Sequence, residues 1–195
     1  MNDDQMELVR ASKGVRDIHS LRQSIPVEET ESFKTEKKLI TFLKGQKFDF
    51  GVTLPCSKIK QLQEMLEKEL GIRTVPVTRE EEGIGICTGA HLAGKKPFML
   101  IQSSGLGNSF NAIASLLKTY RIPILILASY RGYYREKILT QVPLGRSLPG
   151  MLEAMDVPYI ILDKGIDGLD VFSERQQKNS EPHVVLLSPE LFENA

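Results

Sequence analysis

Cysteine is scarce here: the chain has two in 195 residues. Cys56 and Cys87 form no ligand-spaced pair, which argues against a zinc site and against a disulfide framework. Net charge is missing as well, because Lys+Arg and Asp+Glu are both 25. A balanced chain has no bulk field with which to hold a nucleic acid or a membrane surface. It also has little colloidal protection, which favours an assembly that covers apolar surface. No apolar run approaches the roughly 18 residues that a membrane span needs. Residues Met1 to Arg16 carry Asp3, Asp4 and Glu7 without an apolar stretch, so a secretory signal is not expected and the chain reads as cytoplasmic. Nucleotide-binding fingerprints are absent too. The glycine-rich stretch Ser103-Ser104-Gly105-Leu106-Gly107-Asn108 would need glycine in place of Phe110 for the dinucleotide motif, and no Lys-Ser/Thr pair follows it for a phosphate loop.

What the chain does have is alternation. Hydrophobic residues make up 41% of it, enough for one domain of ordinary size. Residues 1–32 are polar and read as an extension, and residues 33–195 as a single α/β domain. Phe33, Leu39, Ile40, Phe42 and Leu43 space out an amphipathic helix ending at Gly45. A short strand follows at Phe48 to Val52. Ser57 is placed to cap a helix with Ile59, Leu62, Met65, Leu66 and Leu70 on one face, stopped by Gly71. A second strand runs from Thr74 to Val77. The continuous apolar runs Pro97 to Gln102 and Pro123 to Ala128 suit parallel strands covered on both faces. Between them lie the glycine-rich turn and a helix through Ile113, Leu116 and Leu117. Then come a long polar segment from Ser129 to Arg146, a helix from about Leu148 to Met155, and a strand at Tyr159 to Leu162. A polar helix near Asp167 to Lys178, capped by Asp167, and a strand at His183 to Leu187 complete the order. This is an α/β fold of three layers around a mainly parallel central sheet.

Ligands of such folds bind beyond the carboxyl ends of the strands. Four segments fall there: Thr53 to Ser57, Thr78 to Glu82, Gln102 to Asn108 and Ser129 to Arg146. Each is chemically unusual. Glu80-Glu81-Glu82 runs straight into Gly83-Ile84-Gly85-Ile86-Cys87-Thr88-Gly89-Ala90. Acidic residues opening a helix interact well with its dipole, which is the plain reading of the triplet. The small residues after it imply a closely approaching surface, so at least one carboxylate stands where the chain enters the interior and needs a proton or a partner. The glycines of Ser103 to Asn108 either make a tight turn or let the backbone approach a ligand. Arg131, Arg135 and Arg146, with Tyr133 and Tyr134, form a cationic segment suited to an anionic substrate group. Glu136 and Lys137 make ordinary surface charge the plainer reading of Arg135. Cys87 reads as a small core residue and His91 as a histidine at the core edge. Cys56 follows Pro55 in a loop with no adjacent base.

Two long stretches are specific. Thr78-Arg79-Glu80-Glu81-Glu82-Gly83 through Lys95-Lys96-Pro97, and Ile101-Gln102-Ser103-Ser104-Gly105-Leu106-Gly107-Asn108-Ser109-Phe110-Asn111, resemble the pyrimidine-binding domain of thiamine diphosphate-dependent 2-oxoacid decarboxylases. The resemblance covers roughly Thr35 to Leu187. It is nearest to the branch acting on 3-sulfonated and 3-phosphonated pyruvates, in which Ser129-Tyr130-Arg131-Gly132 and Gly145-Arg146 also have counterparts. It implies decarboxylation of 3-sulfopyruvate to sulfoacetaldehyde and CO2, as in coenzyme M biosynthesis. Phosphonopyruvate or another 3-substituted 2-oxoacid is the alternative substrate, and a catalytically inactive regulatory homologue the alternative role. The resemblance further implies that one glutamate contacts the cofactor's aminopyrimidine as a proton relay. Counting nine positions back from Gly89 assigns that role to Glu80, while a shift of one would assign Glu81. Glu80, Gly51, Pro55, Ser104, Gly105, Gly107 and Asn108 are the implied cofactor-binding residues, with Leu54 beside Pro55. Arg131, Arg146 and Asn108 are the implied substrate-binding residues. Relatives often carry aspartate where this chain has Cys56. The family's Gly-Asp-Gly motif for the diphosphate and Mg²⁺ is not matched by Ile166-Asp167-Gly168, so the resemblance implies a separate beta subunit that holds them. No metal is expected on this chain.

Overall fold

The computed structural model describes residues 32–193. The expected polar extension, residues 1–32, lies outside the described residues except for Ser32. Within them, six strands form one fully parallel sheet in the order β2-β1-β3-β4-β6-β5. The strands are β1 (Phe50–Thr53), β2 (Arg73–Pro76), β3 (Pro97–Gln102), β4 (Leu125–Ser129), β5 (Tyr159–Leu162) and β6 (His183–Leu187). The helices are α1 (Ser32–Gly45), α2 (Lys60–Leu66), α3 (Glu80–Leu92), α4 (Ser103–Asn108), α5 (Val142–Ala154), α6 (Leu169–Asn179) and α7 (Glu190–Glu193).

The continuous apolar strands are buried on both faces because alternate residues serve different layers. Phe98, Leu100, Leu125, Leu127, Val185 and Leu187 pack with Leu39 and Leu43 of α1, Leu62 and Leu66 of α2, and Leu169 of α6. Their neighbours Met99, Ile101, Ile126, Ala128, Val184 and Leu186 pack with Ile84 and Cys87 of α3, Leu106 of α4, and Leu148 and Leu152 of α5. Burying each such side chain contributes roughly 1.5–3 kcal/mol, so the three layers are what hold the sheet in place.

Several local expectations are corrected. Ser57 does not cap α2, whose first turn follows Ile59 without any side-chain cap. Gln63 takes over the loop instead: its Nε2 donates to Leu54 O at 2.7 Å and its Oε1 accepts from Cys56 N at 3.1 Å. The helix stops at Leu66, and Leu70 is 89% exposed rather than on the apolar face. The glycine-rich stretch is helix, not turn. α4 runs on through Phe110–Ala112 into a π-helical segment, Ile113–Lys118. Two glycines lower its helix propensity by roughly 1 kcal/mol each, and packing overrides that. α5 starts at Val142, so Arg146 sits in a helix and not in the polar segment. Gly168, in the left-handed region at φ 80°, precedes α6, and Asp167 is not its cap.

Candidate active site

The carboxyl ends of β1, β3 and β4 open onto one edge of the sheet, and α3 begins there. Its three leading glutamates have different surroundings. Glu81 accepts from Arg79 Nε at 2.8 Å and pairs with the Arg79 guanidinium. Its own backbone amide first, and then Arg79, hold its carboxyl below the usual range. Glu82 is exposed and accepts from Thr78 Oγ1 at 3.1 Å. Glu80 is buried, 7% exposed, and no described residue donates a hydrogen bond to its carboxylate.

Glu80 lies on the backbone of Gly105 in α4. A Cβ at Gly105 would stand 1.8 Å from Glu80 Oε1 and 1.9 Å from its Cδ. Only glycine leaves room for that carboxylate. One residue earlier, the buried Ser104 Oγ also has no hydrogen-bond partner. Gly107 meets Leu144 of α5, to which an added Cβ would come within 2.9 Å. The glycines of α4 therefore serve two close approaches, one to a carboxylate and one to a neighbouring helix. Asn108 is exposed at the end of α4.

The small residues of α3 divide in the same way. An added Cβ at Gly83 would come within 2.8 Å of Val52 and 2.9 Å of Met99, so close packing is real there. At Gly85 and Gly89 it would meet nothing within 4 Å, so no other described element approaches them. Gly51 does not reach the site. It pairs inside β1 with Thr74 and Phe98, and an added Cβ would strike the Phe98 ring at 2.7 Å on the face opposite α3. Pro55 is exposed in the loop after β1, and Leu54 is half-buried. Cys56 is buried, with Sγ 3.3 Å from Ser129 Oγ. Cys87 is a core residue whose thiol burial pushes up to about 12.

The arginines separate sharply. Arg131 is 6% exposed and turned inward, contrary to a substrate-facing role. Its Nε donates to Glu136 Oε2 at 2.8 Å and its Nη2 to Glu136 Oε1 at 3.2 Å. Glu136 thus pairs with Arg131 and not with Arg135, which instead lies over the Tyr134 ring at 4.9 Å and reaches Glu193 at 3.7 Å. Arg146 is exposed on the first turns of α5, and no described residue pairs with it. Glu136 and Gln63 are the structural residues that sequence reasoning missed. Both act across loops, where no periodicity marks a partner.

A buried carboxylate without a donor, lying on a glycine backbone one residue after an unpartnered hydroxyl, fits a ligand that brings a protonated ring nitrogen. Residues 33–157 match the family model of thiamine pyrophosphate enzymes, N-terminal TPP binding domain. The chain belongs to this family. As a member of the thiamine pyrophosphate enzymes it is 44% identical over 165 residues to the sulfopyruvate decarboxylase of Methanosarcina acetivorans, covering 81% of this chain and 41% of that one. It is 51% identical over 111 residues to sulfopyruvate decarboxylase subunit alpha of Methanococcus maripaludis, covering 57% of this chain and 66% of that one. The chain therefore spans less than two thirds of either relative. The fold is that of benzoylformate decarboxylase from Polynucleobacter necessarius over 81% of this chain and 30% of that one, with TM-score 0.63 at 16% identity. Among the described residues no helix is long and apolar enough to cross a membrane, and no group of three His, Cys, Asp or Glu is placed to hold a metal ion.

Proposed function

We propose that this chain is the alpha subunit of a thiamine diphosphate-dependent decarboxylase converting 3-sulfopyruvate to sulfoacetaldehyde and CO2, as a cytoplasmic step toward coenzyme M. The observation that carries the reading is the buried, donor-free Glu80 carboxylate lying on Gly105. Thiamine diphosphate, when bound, supplies the electron sink for the carbanion left by loss of CO2. Glu80 would hold a proton at a ring nitrogen of the cofactor, and its burial would strengthen that charge-assisted hydrogen bond. Gly105 gives the carboxylate its place, and the Ser104 hydroxyl offers a further hydrogen bond. Asn108 and Arg146, both exposed on two helices that pack together through Gly107 and Leu144, orient the substrate's anionic groups in this reading.

A beta subunit holding the diphosphate and Mg²⁺ completes the enzyme in this reading. Two facts support it: the Methanosarcina relative is a much longer chain, and the Methanococcus relative is named as an alpha subunit. The test mixes the purified chain with that partner, thiamine diphosphate and Mg²⁺, and follows CO2 release from 3-sulfopyruvate and 3-phosphonopyruvate. A higher kcat/KM for the sulfonate is expected. Preference for the phosphonate would reassign the substrate, and release from neither would overturn the reading.

A further inference from the structure

Beyond the buried Tyr130, residues 131–141 return from β4 to α5 with little apolar burial. Tyr133, Ile138 and Leu139 are 43%, 49% and 81% exposed. A segment with so few buried contacts sits at the low end of local stability unless polar interactions hold it. Here they converge on one carboxylate. Besides the Arg131 fork, Glu136 Oε2 accepts from Gly132 N at 3.2 Å and Oε1 from Ile138 N at 3.0 Å. The paired side chains are 7% and 5% exposed. The fork reaches further through the backbone. Arg131 N donates to Ser103 Oγ at 2.9 Å. Ser103, 1% exposed, is the first residue of α4, two positions before the glycine on which Glu80 lies. From the other side, Tyr130 OH donates to Gly145 O at 3.0 Å and ties the segment to α5.

We infer that Glu136 is a positioning residue for the site: it holds Arg131 inside the fold and, through the Arg131 amide on Ser103, sets the start of α4 above Glu80. Two consequences follow. The Arg131 charge is neutralised within the fold, so it is withdrawn from substrate recognition. And the geometry of the Glu80–Gly105 contact depends on a carboxylate that touches neither cofactor nor substrate. The effect on turnover rests on the proposed decarboxylase activity, whereas the effect on the backbone does not.

The experiment pairs amide hydrogen exchange on the full chain with steady-state kinetics of the reconstituted enzyme, for Glu136→Gln and Arg131→Lys. In Glu136→Gln, exchange at Arg131, Gly132 and Ile138 is expected to rise tenfold or more, with the amides of Phe98–Gln102 unchanged. The same variant is expected to lose tenfold or more in kcat while KM stays within threefold. Arg131→Lys is expected to leave KM within threefold. Unchanged exchange in Glu136→Gln overturns the positioning role. A KM raised tenfold in Arg131→Lys at preserved kcat also overturns it, because Arg131 would then be reading substrate. Removing one member of a buried pair strands the other charge. If Glu136→Gln therefore fails to fold, Arg131→Met/Glu136→Gln removes both charges and carries the same exchange readout. If the wild-type mixture releases no CO2, the functional reading falls and the exchange measurement still decides the positioning.

Discussion

The Glu80 carboxylate rests on the Cα of Gly105, so close that a methyl group there would overlap it. In the Gly105→Ala variant the obstacle is the tip of a flexible side chain, so the carboxylate moves and the backbone stays. Alanine in a helix gains up to about 1 kcal/mol over glycine, which offsets the cost of displacing Glu80. The expected outcome is a Tm within a few degrees of wild type with activity reduced 100-fold or more. Thermal melts and CO2-release rates, measured on one preparation, check it. A variant that keeps its activity would separate Gly105 from the chemistry.

Substituting the three glutamates in turn should reproduce their different surroundings. Glu80→Gln keeps size and removes the charge, and should lower kcat by about 10²–10⁴, the range of a proton-transfer group. Glu81→Gln and Glu82→Gln disturb only exposed local contacts to Arg79 and Thr78 and should stay within about threefold. Equal losses at Glu80 and Glu81 would mean that the assignment is off by one residue.

Gly132 and Gly145 cross with no room for a side chain on either. A Cβ at Gly145 would lie 2.2 Å from Arg131 O, and one at Gly132, where φ is 73°, 2.0 Å from Gln141 O. Both obstacles are backbone. Overpacking costs about 1–3 kcal/mol and a left-handed non-glycine residue about 1–2, so Gly132→Ala should lose about 2–5 kcal/mol. At this chain length each kcal/mol shifts Tm by roughly 2–4 °C, which differential scanning calorimetry resolves.

The Arg131 guanidinium, and after it the Ile138 and Gly132 amides, hold the Glu136 carboxyl down at about 2 despite burial. A group whose pKa is lower when folded contributes stability that is complete above its unfolded value and lost as pH falls through its folded value. The contribution should therefore fade between about 4.5 and about 2. Urea unfolding of wild type and Glu136→Gln at a series of pH values should converge across that window and stay apart above it.

Arg146 is an exposed cation on α5, two residues beyond the Leu144 that packs on Gly107 of α4. Arg146→Met should raise KM for 3-sulfopyruvate tenfold or more while altering KM for an uncharged 3-alkyl 2-oxoacid less than threefold. An equal effect on both substrates would exclude reading of the sulfonate by this residue.

Much was legible in the sequence because it is local. The apolar runs of β3, β5 and β6 have the ends that their composition marks, and β3 and β6 show why, since a strand buried on both faces needs an unbroken run. The acidic triplet opens a helix where expected. The errors have one cause, which is contact across the chain. Nothing near Ser103–Asn108 indicates that Glu80 and Leu144 make its glycines useful in a helix. Nothing near Ser57 indicates that Gln63 binds its loop. Gly51 stands in a suggestive loop sequence, yet it makes room for the Phe98 ring inside the sheet.

By itself the sequence determined the alternating α/β order, the parallel sheet and the edge at which its unusual residues gather. Hydrophobic period and length are properties of neighbouring residues, and they suffice for that. Tertiary structure alone decided which glutamate is buried, which arginine is withdrawn from solvent and which glycine makes room for a carboxylate. Each of those depends on burial and on a partner brought up from another element, and a carboxylate or guanidinium changes its chemistry only when such a partner, or the lack of one, is fixed in space.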